Sequence, residues 1–192
     1  MHFLTMEQEI QKCLEVLRNG GTILYPTDTV WGIGCDATNK DAVKKIYHLK
    51  KRLDSKSLII LLDDAQKISK YVSSIPDIAW DLMKSIDTPL TIIYPGAQNL
   101  AKNVIAEDNS IAIRIVKNKF CIRLIHDFGK PIVSSSANIS GETSPMVFKK
   151  ISQEITGNVD YVVNLYQDQF QEVKPSRIIK LKTNGEFQII RP

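Results

Sequence analysis

The chain has 192 residues, of which 43% are apolar and 24% charged, and its formal net charge is +4. This length fits a single domain over residues 1–192 with a sizeable core. No apolar run is long enough to span a bilayer and the N-terminus lacks a signal-peptide pattern, so we expect a cytoplasmic protein with no membrane partner. The three cysteines and three histidines are scattered, which argues against a disulfide framework or a zinc site.

In chain order, helical and strand patterns alternate. A capping box at Thr5 and Gln8 predicts a first helix up to Gly20, a strand follows at 22–25, and Asn39 can cap a second helix. The apolar run 58–62 predicts a buried strand. Further helices are expected near 64–72, 76–86 and 118–128 and from Ser144-Pro145, and further strands at 90–94, 110–116, 131–133 and 161–163.

The end of the chain predicts a hairpin. Asn184-Gly185 lies between the segments 177–182 and 187–191, which is a strong hairpin signal. A terminal hairpin makes a purely parallel sheet doubtful. The sequence therefore predicts an α/β fold with one twisted, mostly mixed open sheet and helices on its faces.

Positive charge is concentrated between residues 39 and 56. This window has two aspartates and seven basic residues: Lys40, Lys44, Lys45, Lys50, Lys51, Arg52 and Lys56. Local basicity is expected at a site that receives anions, whereas a general nucleic-acid coat would be spread more widely. A solvated helix face explains the window equally well on this pattern alone.

Two polar stretches follow strands. In Pro26–Gly32 one interpretation is a turn with Trp31 packed on the core, and the other is a small-molecule floor with Thr29 as donor and Trp31 as an apolar wall. In Ser134–Gly141 five of the first seven residues carry a hydroxyl or amide side chain. Because such groups cost free energy when buried unpaired, this cluster must be a turn, a helix cap or a ligand-binding edge.

Arg114 lies inside an apolar strand, on the same face as Ala112 and Val116. Burial there requires either an acidic partner or a cleft, and we favour the cleft. The sequence has no Gly-x-Gly-x-x-Gly after a strand and no Walker loop. No Ser/His/Asp arrangement is evident, which favours catalysis by positioning and charge neutralisation.

Taken together, these motifs resemble the YrdC/TsaC-like threonylcarbamoyl-AMP synthases over about residues 14–192. The resemblance rests on Pro26–Gly32, Lys50-x-Arg52, Arg114, Ser134–Gly141, Pro175-Ser176 and Ile190-Arg191-Pro192. It implies a concave basic cleft and a nucleotidyltransferase. The family condenses L-threonine, bicarbonate and ATP to threonylcarbamoyl-AMP and pyrophosphate, for a tRNA modification that other proteins complete.

The resemblance also implies roles for single residues. Lys50 and Arg52 would be catalytic by neutralising charge on the phosphates. ATP would be held by Lys50, Arg52, Lys56, Ser136, Asn138, Ser144, Ser176 and Arg191. Threonine would be held by Thr29, Trp31, Arg114 and Ser134. Mg²⁺ would arrive with ATP, and tRNA or tRNA-modifying proteins would be partners.

The chain departs from the family pattern at three positions. The family usually has Tyr in place of Trp31, Pro in place of Ser57 and Thr in place of Arg177. Two alternatives stay open. One is a YciO-like paralogue of less clear activity, and the other is an RNA-binding accessory protein that uses the basic concave surface.

Overall fold

The computed structural model describes residues 4–51, 58–168 and 175–192. The helices are α1 (Met6–Arg18), α2 (Lys40–Leu49), α3 (Ile78–Ser85), α4 (Lys119–Phe128) and α5 (Gln153–Thr156), with 3-10 helices at Ala65–Lys70 and Phe148–Lys150. The strands are β1 (Ile23–Tyr25), β2 (Gly32–Gly34), β3 (Ile59–Leu62), β4 (Leu90–Pro95), β5 (Ser110–Ile115), β6 (Ile132–Ser136), β7 (Tyr161–Val162), β8 (Arg177–Leu181) and β9 (Phe187–Arg191).

The nine strands form one sheet in the order β7-β1-β2-β6-β3-β5-β4-β8-β9. The pairs β1–β7, β3–β5 and β4–β8 are parallel, and the other neighbours are antiparallel. This arrangement confirms the predicted α/β fold with a mixed open sheet. The hairpin of β8 and β9 forms one edge of the sheet, as its turn sequence predicts.

Local capping signals explain the ends of the two best-defined helices. Thr5 and Gln8 form the predicted capping box at the start of α1. Asn118 caps α4, and Gly129 ends it in the left-handed conformation, with φ of 74°. Both helices are amphipathic, and α1 packs against α4.

Two elements differ from the sequence prediction. The structure inserts β2, a strand of only three residues, between β1 and β6. Gly34 allows this close approach, because a Cβ there would lie 2.5 Å from the carbonyl oxygen of Val133. The helix predicted from Ser144-Pro145 does not form, since residues 141–147 are irregular. Instead of capping a helix, the Ser144 hydroxyl points to Asn138 Oδ1 at 3.4 Å.

A single apolar core lies against the sheet and includes the buried faces of α1, α2 and α4. Among the described helices, none combines the length and the apolar character that a bilayer crossing needs.

Candidate active site

An open cavity of about 380 Å³ lies over one face of the sheet. Its volume is within the range of small-molecule sites, about 300–1,000 Å³. Seven residues that the sequence singled out line it: Thr29, Arg114, Ser134, Ser136, Ser144, Ser176 and Arg191. Its apolar wall, which sequence reasoning missed, includes Val30, Leu58, Ile59, Ile93, Ala112, Ile178 and Ile190. The sheet therefore brings together residues from both ends of the chain.

Sheet register places two arginines in one line. Arg114 on β5 pairs with Thr91 on β4, Thr91 with Ile178 on β8, and Ile178 with Arg191 on β9. We call these four residues the arginine row. Paired residues on neighbouring strands share a face, so the row crosses the cavity with Arg114 and Arg191 three strand spacings apart, about 14 Å between Cα atoms.

Arg114 both lines the cavity and has an acidic partner. Its Nη2 lies 3.2 Å from Asp28 Oδ1, and the two side chains are only 5% and 9% exposed. Its Nη1 donates to Thr29 Oγ1 at 3.0 Å. The sequence offered a cleft or an ion pair as alternatives, and the structure has both. Asp28 was missed as a site residue, although a buried arginine in an apolar strand calls for a nearby acid.

The turn that carries Thr29 is organised by hydroxyl groups. Thr27 Oγ1 donates to the carbonyl oxygen of Val30 at 2.7 Å, accepts from the backbone N–H of Thr29 at 3.1 Å, and lies 3.0 Å from Thr29 Oγ1. Because Thr27 has one hydroxyl hydrogen, already used on Val30, Thr29 donates to Thr27. Hydrogen bonds therefore run in one direction, from Arg114 to Thr29, from Thr29 to Thr27 and from Thr27 to the Val30 carbonyl oxygen. The Thr29 oxygen is thus held as an acceptor for Arg114.

The other end of the row is held by Ser176. Arg191 Nε donates to the Ser176 carbonyl oxygen at 2.8 Å, and Nη2 donates to its hydroxyl at 3.3 Å. Ser176 Oγ also lies 2.8 Å from Thr91 Oγ1. Burial, and secondarily the positive charge of Arg114, lowers the pKa of Arg191. Two guanidinium groups that disfavour each other across one cavity make it receptive to an anion.

Lys50 and Asn138 shape the polar loop after β6 and are not on the cavity wall. Lys50 Nζ donates to the carbonyl oxygens of Ser136 at 2.5 Å and Asn138 at 2.6 Å. The Asn138 amide donates to the carbonyl oxygens of Ile139 and Glu142. The ammonium of Lys50 is thus engaged in the protein interior, with the residue only 2% exposed. In this arrangement both side chains act on the site through the loop that they hold.

Trp31 lies outside the cavity wall, although the predicted contact with threonine would need it on that wall. Its side chain is fully buried, with its ring centroid 4.9 Å from that of Phe148. Val30 and Gly32 are on the cavity wall, whereas the side chain of the intervening Trp31 lies in the apolar core. Its indole Nε1 has no acceptor among the described residues.

The basic window contributes less to the cavity than the sequence suggested. Lys44, Lys45 and Lys51 are exposed outside the cavity wall. Lys45 Nζ donates to the Gly20 carbonyl oxygen, and Lys51 pairs with Glu154 at 2.6 Å. Arg52 and Lys56 lie outside the described residues. The concave basic cleft therefore stays a prediction, and in the described wall the cations are Arg114 and Arg191.

Within residues 4–51, 58–168 and 175–192, no cluster of three or more His, Cys, Asp or Glu could hold a metal ion. In the described cavity wall, the side-chain oxygens that could bind a cation are the hydroxyls of Thr29 and several serines. The described wall includes no carboxylate. Hydroxyls fit a Mg²⁺ ion only as secondary contacts, so this donor set suits an ion whose main ligands are phosphate oxygens.

The sequence matches a known family over almost its whole length. Residues 15–192 match the Sua5/YciO/YrdC family, whose description is "Telomere recombination". The threonylcarbamoyl-AMP synthase of Pseudoalteromonas translucida is 34% identical over 161 residues, which cover 82% of this chain and 86% of that protein. A putative threonylcarbamoyl-AMP synthase of Methanocaldococcus jannaschii is 35% identical over 188 residues, or 95% of this chain and 87% of that one.

Solved structures give the same result. The chain superposes on a variant of P. abyssi Sua5 with a TM-score of 0.87 and 26% identity, covering 98% of this chain and 57% of that one. P. abyssi Sua5 complexed with L-threonine matches with a TM-score of 0.81 and 25% identity, covering 94% and 52%. This chain thus spans little more than half of Sua5. E. coli YciO shares the fold, with a TM-score of 0.83 and 24% identity over 97% of this chain and 89% of YciO. The chain belongs to the Sua5/YciO/YrdC family.

Proposed function

We propose that the protein is a threonylcarbamoyl-AMP synthase, a nucleotidyltransferase acting in tRNA modification. The observation that carries this proposal is the arginine row, which places Arg114 and Arg191, with Cα atoms about 14 Å apart, on the wall of one hydroxyl-lined cavity. Each can receive one anionic reactant, an amino-acid carboxylate at one end and a nucleotide at the other. The family relationship supports the same activity.

Threonine is assigned to the Arg114 end. A guanidinium fork matches a carboxylate in shape and charge, and Arg114 is held by Asp28 and Thr29. Ser134, on the neighbouring part of the cavity wall, adds a hydroxyl for the amino acid. Trp31 takes no direct part, since it is buried away from the cavity.

ATP is assigned to Ser176 and Arg191, together with Ser136 and Ser144, which line the same cavity. Lys50 and Asn138 contribute by holding the loop of Ser136 in place. Arg52 and Lys56 are proposed as further phosphate ligands, on the strength of the sequence motif. Mg²⁺, carried in on the phosphates, would supply additional neutralisation of their charge.

The proposed reaction joins three reactants. Bicarbonate takes up a proton and loses water to give CO₂. The neutral amine of threonine attacks the carbon of CO₂, and the proton released from the nitrogen goes to bulk base, which leaves a carbamate. A carbamate oxygen then attacks the α-phosphorus, and the bond to the β-phosphate oxygen breaks and releases pyrophosphate. The protein's part is to hold the reactants in line and to stabilise developing charge, as in other phosphoryl transfers. tRNA-modifying proteins would receive the product.

The test is pyrophosphate release from ATP with threonine and bicarbonate each omitted in turn. We expect release only when both are present, and threonylcarbamoyl-AMP as the product by mass spectrometry. Serine in place of threonine is a matched control for recognition of the side chain. Equal release without threonine would exclude this assignment.

A first prediction concerns Lys50. Lys50→Met removes the ammonium that holds the carbonyl groups of Ser136 and Asn138, so ATP binding should weaken about tenfold or more while threonine binding changes much less. Isothermal titration of each ligand measures both. Lys51→Met is the matched control, because Lys51 is exposed and pairs with Glu154. Unchanged ATP affinity in Lys50→Met would place the phosphates elsewhere.

A further inference from the structure

We propose that Asp28 is a positioning residue, which sets the Arg114 guanidinium for the substrate carboxylate without touching the substrate. This inference rests on the proposed function only for the identity of the ligand as threonine. Asp28 is absent from the cavity wall, although its neighbours Thr29 and Val30 are part of it. It therefore stands behind the surface that a ligand would meet.

The ion pair is poorly explained by stability alone. Both side chains are more than nine-tenths buried, so each charge has lost most of its water. Both Asp28 oxygens and Arg114 Nε lack a hydrogen-bond partner among the described residues, although Nη2 approaches Oδ1 to 3.2 Å. A buried pair offsets its desolvation only when hydrogen bonds complete it, so this pair adds little to stability. Buried polar atoms left unsatisfied call for another explanation.

Geometry supplies that explanation. Thr29 accepts a hydrogen bond from Nη1, and Asp28 lies 3.2 Å from Nη2, from adjacent positions of one turn. Contacts at both terminal nitrogens restrict rotation of the planar guanidinium more than a single contact does. The carboxylate of Asp28 also places a negative charge 3.2 Å from the buried guanidinium of Arg114, on the side away from the cavity wall.

The test uses two variants, Asp28→Asn and Asp28→Glu, in the full-length protein. Asp28→Asn keeps the shape and removes the charge, and Asp28→Glu keeps the charge and displaces it by one methylene. We expect threonine affinity by isothermal titration to fall about tenfold or more in Asp28→Asn and by a smaller factor in Asp28→Glu, with ATP affinity within about threefold of wild type. Glu9→Gln is the control, because Glu9 is a buried carboxylate in α1, remote from the cavity wall.

A double-mutant cycle identifies Arg114 as the group through which Asp28 acts. In the Arg114→Lys background, which lacks the planar fork, Asp28→Asn should cost less than about twofold in threonine affinity. An equal cost in both backgrounds overturns the proposal. So does unchanged threonine affinity in Asp28→Glu, which is expected to fold even if Asp28→Asn does not. Tighter threonine binding in either variant also overturns it, because Asp28 would then compete with the substrate for Arg114.

A ligand-free readout separates this proposal from the proposed function. The Nε–H resonance of Arg114, assigned by its loss in Arg114→Lys, should exchange slowly with water in wild type and faster in Asp28→Glu. If wild type fails to bind threonine, the proposed function is wrong, and the exchange measurement still tests the positioning of Arg114. If threonine binds and neither affinity nor exchange responds to Asp28, only the positioning role is wrong.

Discussion

Arg114 and Arg191 lie in one row of the sheet, yet their surroundings differ. Arg114 is on β5, in the interior of the sheet, with a carboxylate 3.2 Å away and a threonine hydroxyl fixed towards it. Arg191 is on the edge strand β9 and donates hydrogen bonds to the carbonyl and hydroxyl oxygens of Ser176, and no acid among the described residues forms an ion pair with it. One charge is compensated and oriented before any ligand arrives, while the other still lacks an anion. The first arrangement favours selective binding of a small molecule, and the second favours attraction of a highly charged one.

Stability should distinguish the two arginines most strongly. Arg114→Met leaves Asp28 buried without its partner, which should lower the free energy of unfolding by about 3–5 kcal/mol. Arg191→Met leaves no acid unpaired and removes hydrogen bonds to Ser176, a loss of about 1 kcal/mol or slightly more. Urea unfolding at neutral pH measures both. Equal losses would show that Asp28 does not depend on Arg114.

For ATP affinity, we expect the larger effect at Arg191, whereas for stability we expect it at Arg114. Arg191→Met should weaken ATP binding by about 1.5–3 kcal/mol, or some ten- to more than a hundredfold, because a charged donor is lost. Threonine affinity should change by less than about threefold. Arg177→Met is the matched control, since Arg177 is exposed on the same hairpin and lies off the cavity wall. If Arg177→Met weakens ATP binding as much, general charge and not the position of Arg191 attracts the nucleotide.

The smallest effect concerns the attachment of the Arg191 hairpin. Lys180 on β8 donates to Asp108 Oδ2 at 2.6 Å, and this bond, followed by one from Ser110, lowers the pKa of Asp108 to about 2. Because this value lies below the ordinary 3.8, the contribution is present at pH 7 and is lost as the pH falls through about 2. The pair is half exposed, so Asp108→Asn should cost no more than about 0.5 kcal/mol at pH 7.

Unfolding of wild type and Asp108→Asn at pH 7 and near pH 2 measures this contribution. The difference between the two proteins should shrink on acidification. A difference that grows at low pH would contradict the assigned direction of the pKa shift.

Elements with local signals were predictable from the sequence. The caps of α1 and α2 and the turn at Asn184-Gly185 are short-range chemistry, and the structure has all three. The strand β2 was not predictable, because Gly32-Ile33-Gly34 has no strand preference of its own and is extended only by pairing with β1 and β6. The prediction of a helix from Ser144-Pro145 was wrong, and the Ser144 hydroxyl donates to Asn138 Oδ1 in an irregular segment.

The sequence was a better guide to which residues line the cavity than to the direction in which their neighbours point. Hydroxyl and guanidinium residues at 29, 114, 134, 136, 144, 176 and 191 do converge. Whether Trp31 points to the core or to the cavity depends on the conformation of the turn after β1, and the order of residues alone does not determine that conformation. The pairing of Arg114 with Asp28 needed the sheet, because the two residues are distant in the chain and only the fold brings them to 3.2 Å.

The edge position of β8 and β9 has a consequence for how the molecule opens. In the sheet, this hairpin joins the other strands through the β4–β8 ladder, which the Lys180–Asp108 pair supplements. A local opening at that ladder would remove Arg191 and Ser176 from the cavity while Arg114 and Thr29 kept their places. A nucleotide that spans both parts binds only the closed form and so opposes this opening. With the nucleotide bound, the β8–β9 hairpin and the rest of the sheet would unfold together as one cooperative unit.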